Sequence, residues 1–416
     1  MLKQWNKACG ADIHKRFLVA TILDRMGTKQ TERFGMQIDD LLRFKEWLVL
    51  NKCECLAVES TGTLWVPIHS IMEGSMEIII ANAYKIKHTP GRKTDLRDSE
   101  WLAELCLNGM IEPSRIFTGD DREIRELTRS REHMVKMRTQ VKIRIHYILE
   151  SACIKLSSVL TDIFGKLGMK IINGLLEGKT IDEIVKGSRS KIVKKKRELL
   201  RDAIKTNLNP AQILVIRDSL DVIDLMDRKL NNLESEIQDR IEKKKEDIEI
   251  AQSLPGFGFI SASTLLAEIG DYSDFANGEK LASWAGIVPR VSQSADHNHS
   301  GRITKQGSKH IRRIIVEVAD AVIKTRNCKL KDIYRRIKSK KGHNIAIIAL
   351  GRKILCILHH LLMNREMYDE SQVKTKKVRE KVVPTSQIRM TIEEMVSYLS
   401  KAGFIVGKKM PEEEAN

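Results

Sequence analysis

The stretch from Cys9 to Ile38, CGADIHKRFLVATILDRMGTKQTERFGMQI, decides the fold of the N-terminal part of this 416-residue chain. Three short segments in it have the composition of β-strands: CGADIH, FLVATIL and ERFGMQI. The segment DRMGTKQ, at residues 24–30, separates the second from the third and has the composition of a turn. The pattern therefore predicts three consecutive antiparallel strands, a β-meander.

Helices and strands alternate after the meander. The sequence predicts, in order, a helix at 39–50, the strand CECLAVES at 53–60, a helix at 64–72 and the buried strand MEIIIANA at 76–83. A further helix follows, and it begins near Asp95. This order is that of the ribonuclease H and RuvC-like nuclease folds, an α/β class in which a mixed sheet carries acidic residues at its centre.

Two aspartates, Asp95 and Asp98, stand one turn apart at the start of that last helix, directly behind the basic segment GRK. One interpretation is helix capping, because Thr94 or Asp95 can accept a backbone N–H bond and acids in the first turn complement the helix dipole. The other interpretation is a shared catalytic site. Two acids at i and i+3 lie on one helix face and can offer both carboxylates to the same point.

Two more acids favour the second interpretation. Asp12 lies in the first predicted strand and Glu59 near the end of a later one, and in a RuvC-like sheet these positions converge with Asp95 and Asp98. Four carboxylates suit two hard divalent cations, Mg²⁺ or Mn²⁺, about 3.5 to 4 Å apart, that act on a phosphodiester.

The composition indicates a nucleic-acid partner. The formal net charge is +17, which attracts polyanions, while aromatic residues make up only 5% of the chain, so base stacking is a minor theme. We find no run of 18 or more apolar residues and no signal sequence, and therefore expect a cytoplasmic, nucleoid-associated protein without a membrane partner. The seven cysteines are odd in number and mostly lie within apolar patterns, which fits reduced core thiols, and no CxxC pair suggests a structural zinc site.

Two apolar seams of seven-residue period predict long helices in the middle of the chain. The first seam runs through Leu127, Met134, Val141 and Ile148, with Ile124 and Ile145 at the other core position and Arg131 and Arg138 interrupting it. The second seam runs through Ile216, Ile223, Leu230 and Ile237, with Met226 and Leu233 alongside. Such seams are typical of an antiparallel helical hairpin or of a coiled-coil dimer interface, and both remain open from the sequence.

Two further segments are candidates for phosphate contacts. A basic cluster between the two helices contains Lys191, Lys194, Lys195, Lys196 and Arg197; a solvated helix face is the common meaning of such a cluster, and phosphate binding is the alternative. The stretch LPGFGFISASTLLAEIG has the form of a helix-hairpin-helix, in which Gly256 and Gly258 would present backbone N–H groups to phosphate. A Pro-Gly turn before any amphipathic helix looks similar.

The acidic motifs GADIHK, ESTG and KTDLRD resemble those of the DEDD transposases of bacterial and archaeal insertion sequences. In the second half, PGFGFISA, AGIVPR and GRITKQGSKHIRR resemble the separate C-terminal transposase domain of the same family. The resemblance spans about residues 10–369 in the family's order. It implies that Asp12, Glu59, Asp95 and Asp98 are the metal ligands, and that Arg302 and Lys305 lie in a nucleic-acid-binding segment.

The resemblance also implies a serine nucleophile. The matching position is Ser294 in PRVSQSADHNHSG, where Ala295 replaces the usual glycine and Ser292 and Ser300 lie close by. A loop serine is commonly a solvated hydroxyl, and His297 and His299 are expected to be solvated in the same polar loop. Ser99 replaces the family's usual alanine after the last acid, with no consequence that the sequence reveals.

The resemblance to the family implies partners that the residues alone do not indicate. Its members resemble RNA-guided recombinases in which a structured noncoding RNA, the bridge RNA, pairs with donor and target DNA, and they assemble as dimers and then a tetramer. Such proteins hold nucleic-acid backbones, which suits a basic surface. The predicted activity is transposition, that is, DNA cleavage and strand exchange. The alternatives are a metal-dependent Holliday-junction resolvase or nuclease and a noncatalytic nucleic-acid scaffold.

The predicted organisation has four parts. They are a RuvC-like catalytic domain at 1–118, a helical coiled-coil domain at 119–250, a mostly α-helical transposase domain with the helix-hairpin-helix at 251–366, and a charged linker with a terminal helix at 367–416.

Overall fold

The computed structural model describes most of the chain, namely residues 5–59, 62–82, 95–117, 119–186, 191–294, 297–326, 328–372, 391–401 and 404. The chain separates into two compact units, Met1–Gly119 and Asp120–Asn416. The finer division into four parts stays a prediction.

The N-terminal unit contains a mixed five-stranded sheet with strand order β3-β2-β1-β4-β5. The strands are β1 (Lys7–Ile13), β2 (Phe17–Asp24), β3 (Lys29–Gly35), β4 (Cys55–Glu59) and β5 (Glu77–Ala81). The first three pair in antiparallel fashion, and β4 and β5 run parallel to β1. The described helices of this unit are α1 (Ile38–Leu50), α2 (Trp65–Met72) and α3 (Asp95–Leu107). A mixed α/β unit of this order is compatible with the RuvC-like class.

The third strand lies three residues earlier than predicted. We placed Lys29 in the turn, whereas it begins β3. The turn is shorter because Asp24 Oδ1 accepts hydrogen bonds from the backbone N–H groups of Met26 and Thr28, at 3.0 and 2.9 Å. Gly27 adopts the left-handed φ of +86° between them, so the chain is already reversed when it reaches Lys29.

The side chains of β1 alternate between two layers, because successive residues of a strand point to opposite faces. Cys9, Ala11 and Ile13 belong to the apolar cluster that includes residues of α1 and α2. Ala8 belongs to a second cluster with Leu102 and Cys106 of α3. By the same alternation Gly10 and Asp12 share the α3 face with Ala8.

Gly10 is the point of closest approach between β1 and α3. A Cβ atom built on Gly10 would overlap the carbonyl oxygen of Ser99 and the amide nitrogen of Ala103, both of them backbone atoms of α3. Only glycine fits there, since backbone atoms cannot rotate away as a side-chain end can. The helix therefore lies directly on the strand, and its first turn stands beside the end of β1.

We expect Gly10→Ala to destabilise the N-terminal unit by about 2 kcal/mol, because α3 must shift outward to admit the methyl group. Chemical denaturation followed by circular dichroism measures the change. Gly119→Ala is the matched control, since a Cβ atom there meets no neighbour, and its effect should stay within about 0.5 kcal/mol. Equal stability of Gly10→Ala and the wild type would contradict the close contact.

Two long helices, α4 (Gly119–Ser151) and α9 (Pro210–Arg240), run antiparallel in the second unit. Ion pairs fix the direction: Arg131 binds Glu234, and Arg138, one heptad later on α4, binds Asp227, one heptad earlier on α9. The arginines that interrupt the predicted seam thus reach acids of the facing helix. Coiled-coil packing and a role in dimerisation stay predictions.

The α9 seam is buried as predicted, whereas the α4 seam differs. All four heptad residues of α9 are buried, Ile216, Ile223, Leu230 and Ile237. On α4 the predicted residues Leu127, Met134, Val141 and Ile148 are only half-buried, and the buried apolar residues are Ile124, Ile145 and Leu149. Ile124 and Ile145 belong to the predicted seam, and α4 also contacts the C-terminal helices through Glu132 and Arg129.

Four shorter helices follow α4 and precede α9 in the sequence: α5 (Leu156–Val159), α6 (Lys166–Leu176), α7 (Ile181–Val185) and α8 (Lys191–Ala203). Their core includes Ile171, Ile172 and Leu200, and it is continuous with Ile145 of α4 and Ile216 of α9.

The C-terminal part is mostly helical. Its elements are α10 (Lys245–Ser253), α11 (Phe259–Ile269), α12 (Gly278–Trp284), β6 (Pro289–Ser294), β7 (His297–Ile303), α13 (Lys309–Lys324), α14 (Leu330–Lys341), α15 (His343–Asn364) and α16 (Ile392–Lys401), with short 3₁₀ helices at Glu242–Lys244, Tyr272–Asp274 and Glu370–Gln372. By length and composition α15 could cross a membrane. Leu350, Ile354, Leu355 and Leu358 are fully buried in the core of this part, so α15 is a core helix.

The predicted polar loop around His297 is instead a β-hairpin. Strands β6 and β7 pair antiparallel, with Ser292 opposite His299 and Ser294 opposite His297. Two glycines with left-handed φ hold the base of the hairpin together: Gly286 lies against the backbone of Gln306, and Gly307 lies against that of Trp284. Because the two ends of the segment are held side by side, the chain between them closes as a hairpin.

Candidate active site

The strands bring two of the predicted acids together. Asp12 is the penultimate residue of β1 and Glu59 is the last residue of β4. The parallel pairing of these strands matches Ala11 with Val58, so the next position along the register places Asp12 beside Glu59. Both side chains lie on the sheet face that α3 covers, by the alternation already described.

The helix supplies the other two acids. Asp95 is the first residue of α3, and Asp98 follows one turn later, so both stand in the exposed first turn above the end of β1. Thr94, the alternative capping residue, lies outside the described residues. The acids of this turn complement the helix dipole as well, so the capping interpretation and the site interpretation are compatible.

His14, which is not among the predicted site residues, lies among the acids. His14 Nε2 lies 3.2 Å from Asp12 Oδ2 and 3.3 Å from Asp95 Oδ2. The nitrogen atom is buried, and neither contact has the geometry of a hydrogen bond. The signal was present in GADIHK, because Asp12 and His14 are two residues apart and an extended chain turns such residues to the same side.

Burial is the main cause that raises the pKa of the Asp12 carboxyl group above its ordinary value. The nearby His14 opposes this, and the negative charges of Asp95, Asp98 and Glu59 raise the pKa further. Asp95, Asp98 and Glu59 are thus close enough to Asp12 for their charges to act on its carboxyl group. Like charges held this close disfavour one another's ionisation.

The residues present fit a divalent cation. The ligand atoms of Asp12, His14 and Asp95 all lie within 4.8 Å of one another, and the buried Nε2 atom has no hydrogen-bond partner among the described residues. A cation would neutralise the carboxylates that repel one another, and carboxylate oxygens are the donors that Mg²⁺ and Mn²⁺ prefer.

We expect Asp12→Asn to raise the midpoint of thermal unfolding by about 2 °C at pH 7 in EDTA, because the site disfavours the charged form of Asp12. A raised pKa in the folded state means that ionisation weakens the fold as pH rises. The gain should therefore vanish below pH 4, where wild-type Asp12 is protonated and neutral like asparagine. Scanning calorimetry at both pH values tests this, and a lower midpoint for the variant at pH 7 would contradict it.

Ser99 has a role that the sequence did not reveal. It is fully buried, and its hydroxyl group is hydrogen-bonded to that of Thr21 of β2 at 2.8 Å. Thr21 in turn bonds the hydroxyl of Thr31 on β3 at 3.0 Å. Ser99 also donates to the carbonyl oxygen of Leu96, at 3.0 Å. This chain of hydroxyls ties the first turn of α3 to the sheet.

The predicted nucleophile, Ser294, belongs to the second unit. It is the last residue of β6, and Ser292 and Ser300 lie in β6 and β7 of the same hairpin. The prediction of a polar loop at these three serines was wrong, because they lie in the two paired strands of a hairpin. The N-terminal acids and these serines belong to different units.

The buried Glu268 is hydrogen-bonded to Ser308, which lies a few residues after the end of the hairpin. Glu268 of α11 is fully buried and binds Arg129 of α4 through two bonds, Nε to Oε1 at 2.6 Å and Nη2 to Oε2 at 3.0 Å. Ser308, which caps the N-terminus of α13, donates to Glu268 Oε2 at 2.8 Å. Burial alone would raise the pKa of Glu268, but Arg129 and Arg125 lower it, so Glu268 remains charged.

A second buried glutamate lies one turn from Arg129 on α4. Glu132 is 4% exposed, and its Oε2 atom lies 2.6 Å from His310 Nδ1. Its Oε1 atom contacts Lys136 and lies 3.3 Å from Arg313 Nε. Burial alone would raise the pKa of Glu132, yet the bonds from Lys136 and His310 and the charge of Arg313 lower it to about 2.

We expect Glu132→Gln to destabilise the second unit by about 2 kcal/mol at pH 7, because the buried Glu132 carboxylate is the acid that pairs with His310 and Arg313. A pKa lowered in the folded state stabilises the fold above the ordinary glutamate pKa, and this stabilisation is lost as pH falls from about 4.5 toward 2. The difference from the wild type should shrink over that interval, as thermal unfolding at several pH values would show.

Glu234→Gln is the control for that measurement. Glu234 of α9 pairs with Arg131 of α4, and its side chain is 38% exposed. Its loss should cost under about 1 kcal/mol and should not reproduce the pH dependence. An equal effect of the two substitutions would contradict a special role for Glu132.

The predicted phosphate-binding residues differ in their surroundings. Gly256 adopts a φ of +89° and packs against the backbone of Val318 on α13, so its structural need for glycine is internal packing. Gly258 is exposed, and its N–H group donates to Ser261 Oγ at 2.9 Å. Lys196 donates to the carbonyl oxygen of Val159. Nucleic-acid contacts by any of these residues stay predictions.

The remaining predicted phosphate contacts are three lysines at the start of α8 and two cations near the end of β7. Lys191, Lys194 and Lys195 belong to the first turns of α8. Arg302 in β7 and Lys305 just after it are both exposed, as phosphate contacts require.

Two family models match the chain in order. A DEDD transposase model matches residues 9–154, which include all four acids. The model described as transposase IS116/IS110/IS902 family matches residues 248–335, which include Ser294 and both glycines of the α10–α11 turn. The chain belongs to the DEDD transposase family of insertion sequences. Members of this family are DNA-cleaving and DNA-joining enzymes.

Individual relatives agree with the family. This DEDD family member is 27% identical over 321 residues to the transposase for insertion sequence element IS1111A of Coxiella burnetii, covering 76% of this chain and 80% of the relative. It is 28% identical over 159 residues to a probable family 20 transposase of Pseudomonas aeruginosa, covering 37% and 46%. It is 32% identical over 120 residues to the pilin gene-inverting protein of Moraxella bovis, covering 28% and 37%.

Proposed function

We propose that this chain excises and inserts its own DNA element, using the acids of the N-terminal unit as a divalent-cation site and Ser294 as the nucleophile. The metal part is supported by the ligand atoms of Asp12, His14 and Asp95, which lie within 4.8 Å of one another, and by the charges of Asp98 and Glu59, which help to raise the pKa of Asp12. The serine part rests on the family match over residues 248–335 and on the position of Ser294 in that segment.

The proposed site would hold Mg²⁺ or Mn²⁺ through Asp12, Glu59, Asp95 and Asp98. The cation, when bound, supplies Lewis-acid polarisation of the phosphodiester and neutralises charge on its oxygens. Asp12 and Glu59 are fixed by two neighbouring strands, while Asp95 and Asp98 are fixed by α3. Rigid elements thus position the ligands, which lowers the cost of assembling the site.

The proposed chemistry is two successive transesterifications at Ser294. Its Oγ atom bonds to phosphorus and loses its proton, while the bond from phosphorus to the departing deoxyribose oxygen breaks and that oxygen takes up a proton. The hydroxyl group of another strand then attacks the phosphoserine and returns the serine. The bond energy is retained in the covalent intermediate, so the reaction needs no ATP.

The proposed partners are donor DNA, target DNA and a structured guide RNA, the bridge RNA, in a dimer that assembles to a tetramer in the bacterial cytoplasm at the nucleoid. The net charge of +17 supports polyanion binding. Delegating sequence choice to base pairing would leave the protein to contact backbones, for which exposed cations such as Arg302 and Lys305 are suited.

The test incubates purified protein with Mg²⁺, RNA transcribed from the flanks of its gene, and labelled donor DNA. We expect a protein–DNA adduct that survives denaturation, and we expect Ser294→Ala to abolish it. Ser292→Ala and Ser300→Ala are matched controls in the same hairpin and should retain the adduct. Asp12→Asn should lose the adduct but retain nucleic-acid binding.

The other outcomes identify the alternatives. Cleavage without an adduct in the wild type would indicate metal-dependent hydrolysis, as in a resolvase or nuclease, and would return Ser294 to an ordinary polar residue. Binding without cleavage, unchanged in Asp12→Asn, would indicate a noncatalytic scaffold.

A further inference from the structure

We infer that His14 is a direct ligand of the divalent cation at the acidic site and that it makes the site prefer Mn²⁺ to Mg²⁺. This inference rests on the proposed metal-dependent function and deepens it, since the four acids alone provide only oxygen donors. His14 would add one nitrogen donor to these oxygen donors.

The position of the imidazole supports ligation. His14 Nε2 lies 3.2 Å from an oxygen of Asp12 and 3.3 Å from an oxygen of Asp95, and ligand atoms on adjacent corners of an octahedral site with bonds of about 2.2 Å are about 3.1 Å apart. Neither contact has hydrogen-bond geometry, although Nε2 is buried. The nitrogen therefore lies among the carboxylates without satisfying its bonding capacity there.

The ring is held in this position by its own strand-to-strand turn. The backbone N–H group of His14 donates to the carbonyl oxygen of Phe17 at 2.8 Å, which closes the turn between β1 and β2. The imidazole packs on the Phe17 ring at 4.7 Å between centroids, and the Arg33 guanidinium carbon lies 3.7 Å from the centroid of the same phenyl ring. A ligand held by such packing needs little reorganisation on metal binding.

The donor set determines the preference. Mg²⁺ binds oxygen ligands and gives up its water reluctantly, whereas affinity for nitrogen donors rises along the first-row transition ions. Mn²⁺ accepts both carboxylate oxygen and imidazole nitrogen. A site with one imidazole among acids therefore shifts its selectivity from Mg²⁺ toward Mn²⁺.

The experiment measures Mn²⁺ bound to the full-length chain by electron paramagnetic resonance and records its spin-echo modulation by ¹⁴N. We expect nitrogen modulation in the wild type and its loss in His14→Ala. Mn²⁺ affinity should fall about tenfold in His14→Ala and Mg²⁺ affinity, measured by competition, about twofold or less. Lys15→Ala is the control, because it removes an adjacent exposed cation and should leave the Mn²⁺/Mg²⁺ ratio unchanged.

Two results would overturn the inference. The first is wild-type Mn²⁺ binding, abolished by Asp12→Asn, that carries no nitrogen modulation. The second is stronger binding of both ions by His14→Ala, which would identify His14 as a positive charge that competes with the metal. If the wild type binds neither ion, the proposed metal site itself fails, and that failure is separate from the role of His14.

Discussion

The contact between the backbone of α3 and Gly10 is the constraint on which the N-terminal site depends. Side chains normally separate a helix from the sheet that it covers. Here the absence of a side chain at residue 10 lets the backbone at Ser99 and Ala103 touch the strand. The first turn of the helix, with its two aspartates, is consequently beside Asp12 and not one layer above it.

This closeness has an electrostatic cost that the fold must balance. Asp12 is held in partial burial among three other carboxylates, an arrangement that disfavours its charged form. The apolar clusters on both faces of the sheet and the buried hydroxyls of Ser99 and Thr21 stabilise the geometry against this repulsion. Sites built to bind a cation are commonly less stable without one, since the function requires groups that repel one another.

Local patterns of apolar residues predicted the strands and the long helices, because each type of element repeats its apolar residues with a characteristic spacing. The order of strands and helices along the chain and the α9 seam could be read directly, and the places of Asp12 in the first strand and of Glu59 near the end of a later one followed from that order. The displaced start of β3 depended on one Asp24 side chain, which no period reveals. Ser99 could not be assigned, because its partner Thr21 is 78 residues away and meets it only through the α3 packing, whereas the two-residue spacing of Asp12 and His14 could have indicated His14.

The second unit also contains a residue whose partners are distant in sequence. A glutamate within the apolar run TLLAEIG looks unfavourable in a buried helix until its partners are known. Glu268 is compensated by Arg129, which is 139 residues away, and by Ser308 at the start of α13.

Ser308 directly follows the glycine that closes the base of the hairpin carrying Ser294. The hairpin base is therefore anchored to α4 through a buried charged pair, whose geometry is more directional than apolar contact. The proposed nucleophile, Ser294 at the end of β6, would depend on that base for its orientation. The charged residues inside this unit are thus best understood as positioning the hairpin, not as sources of net stability.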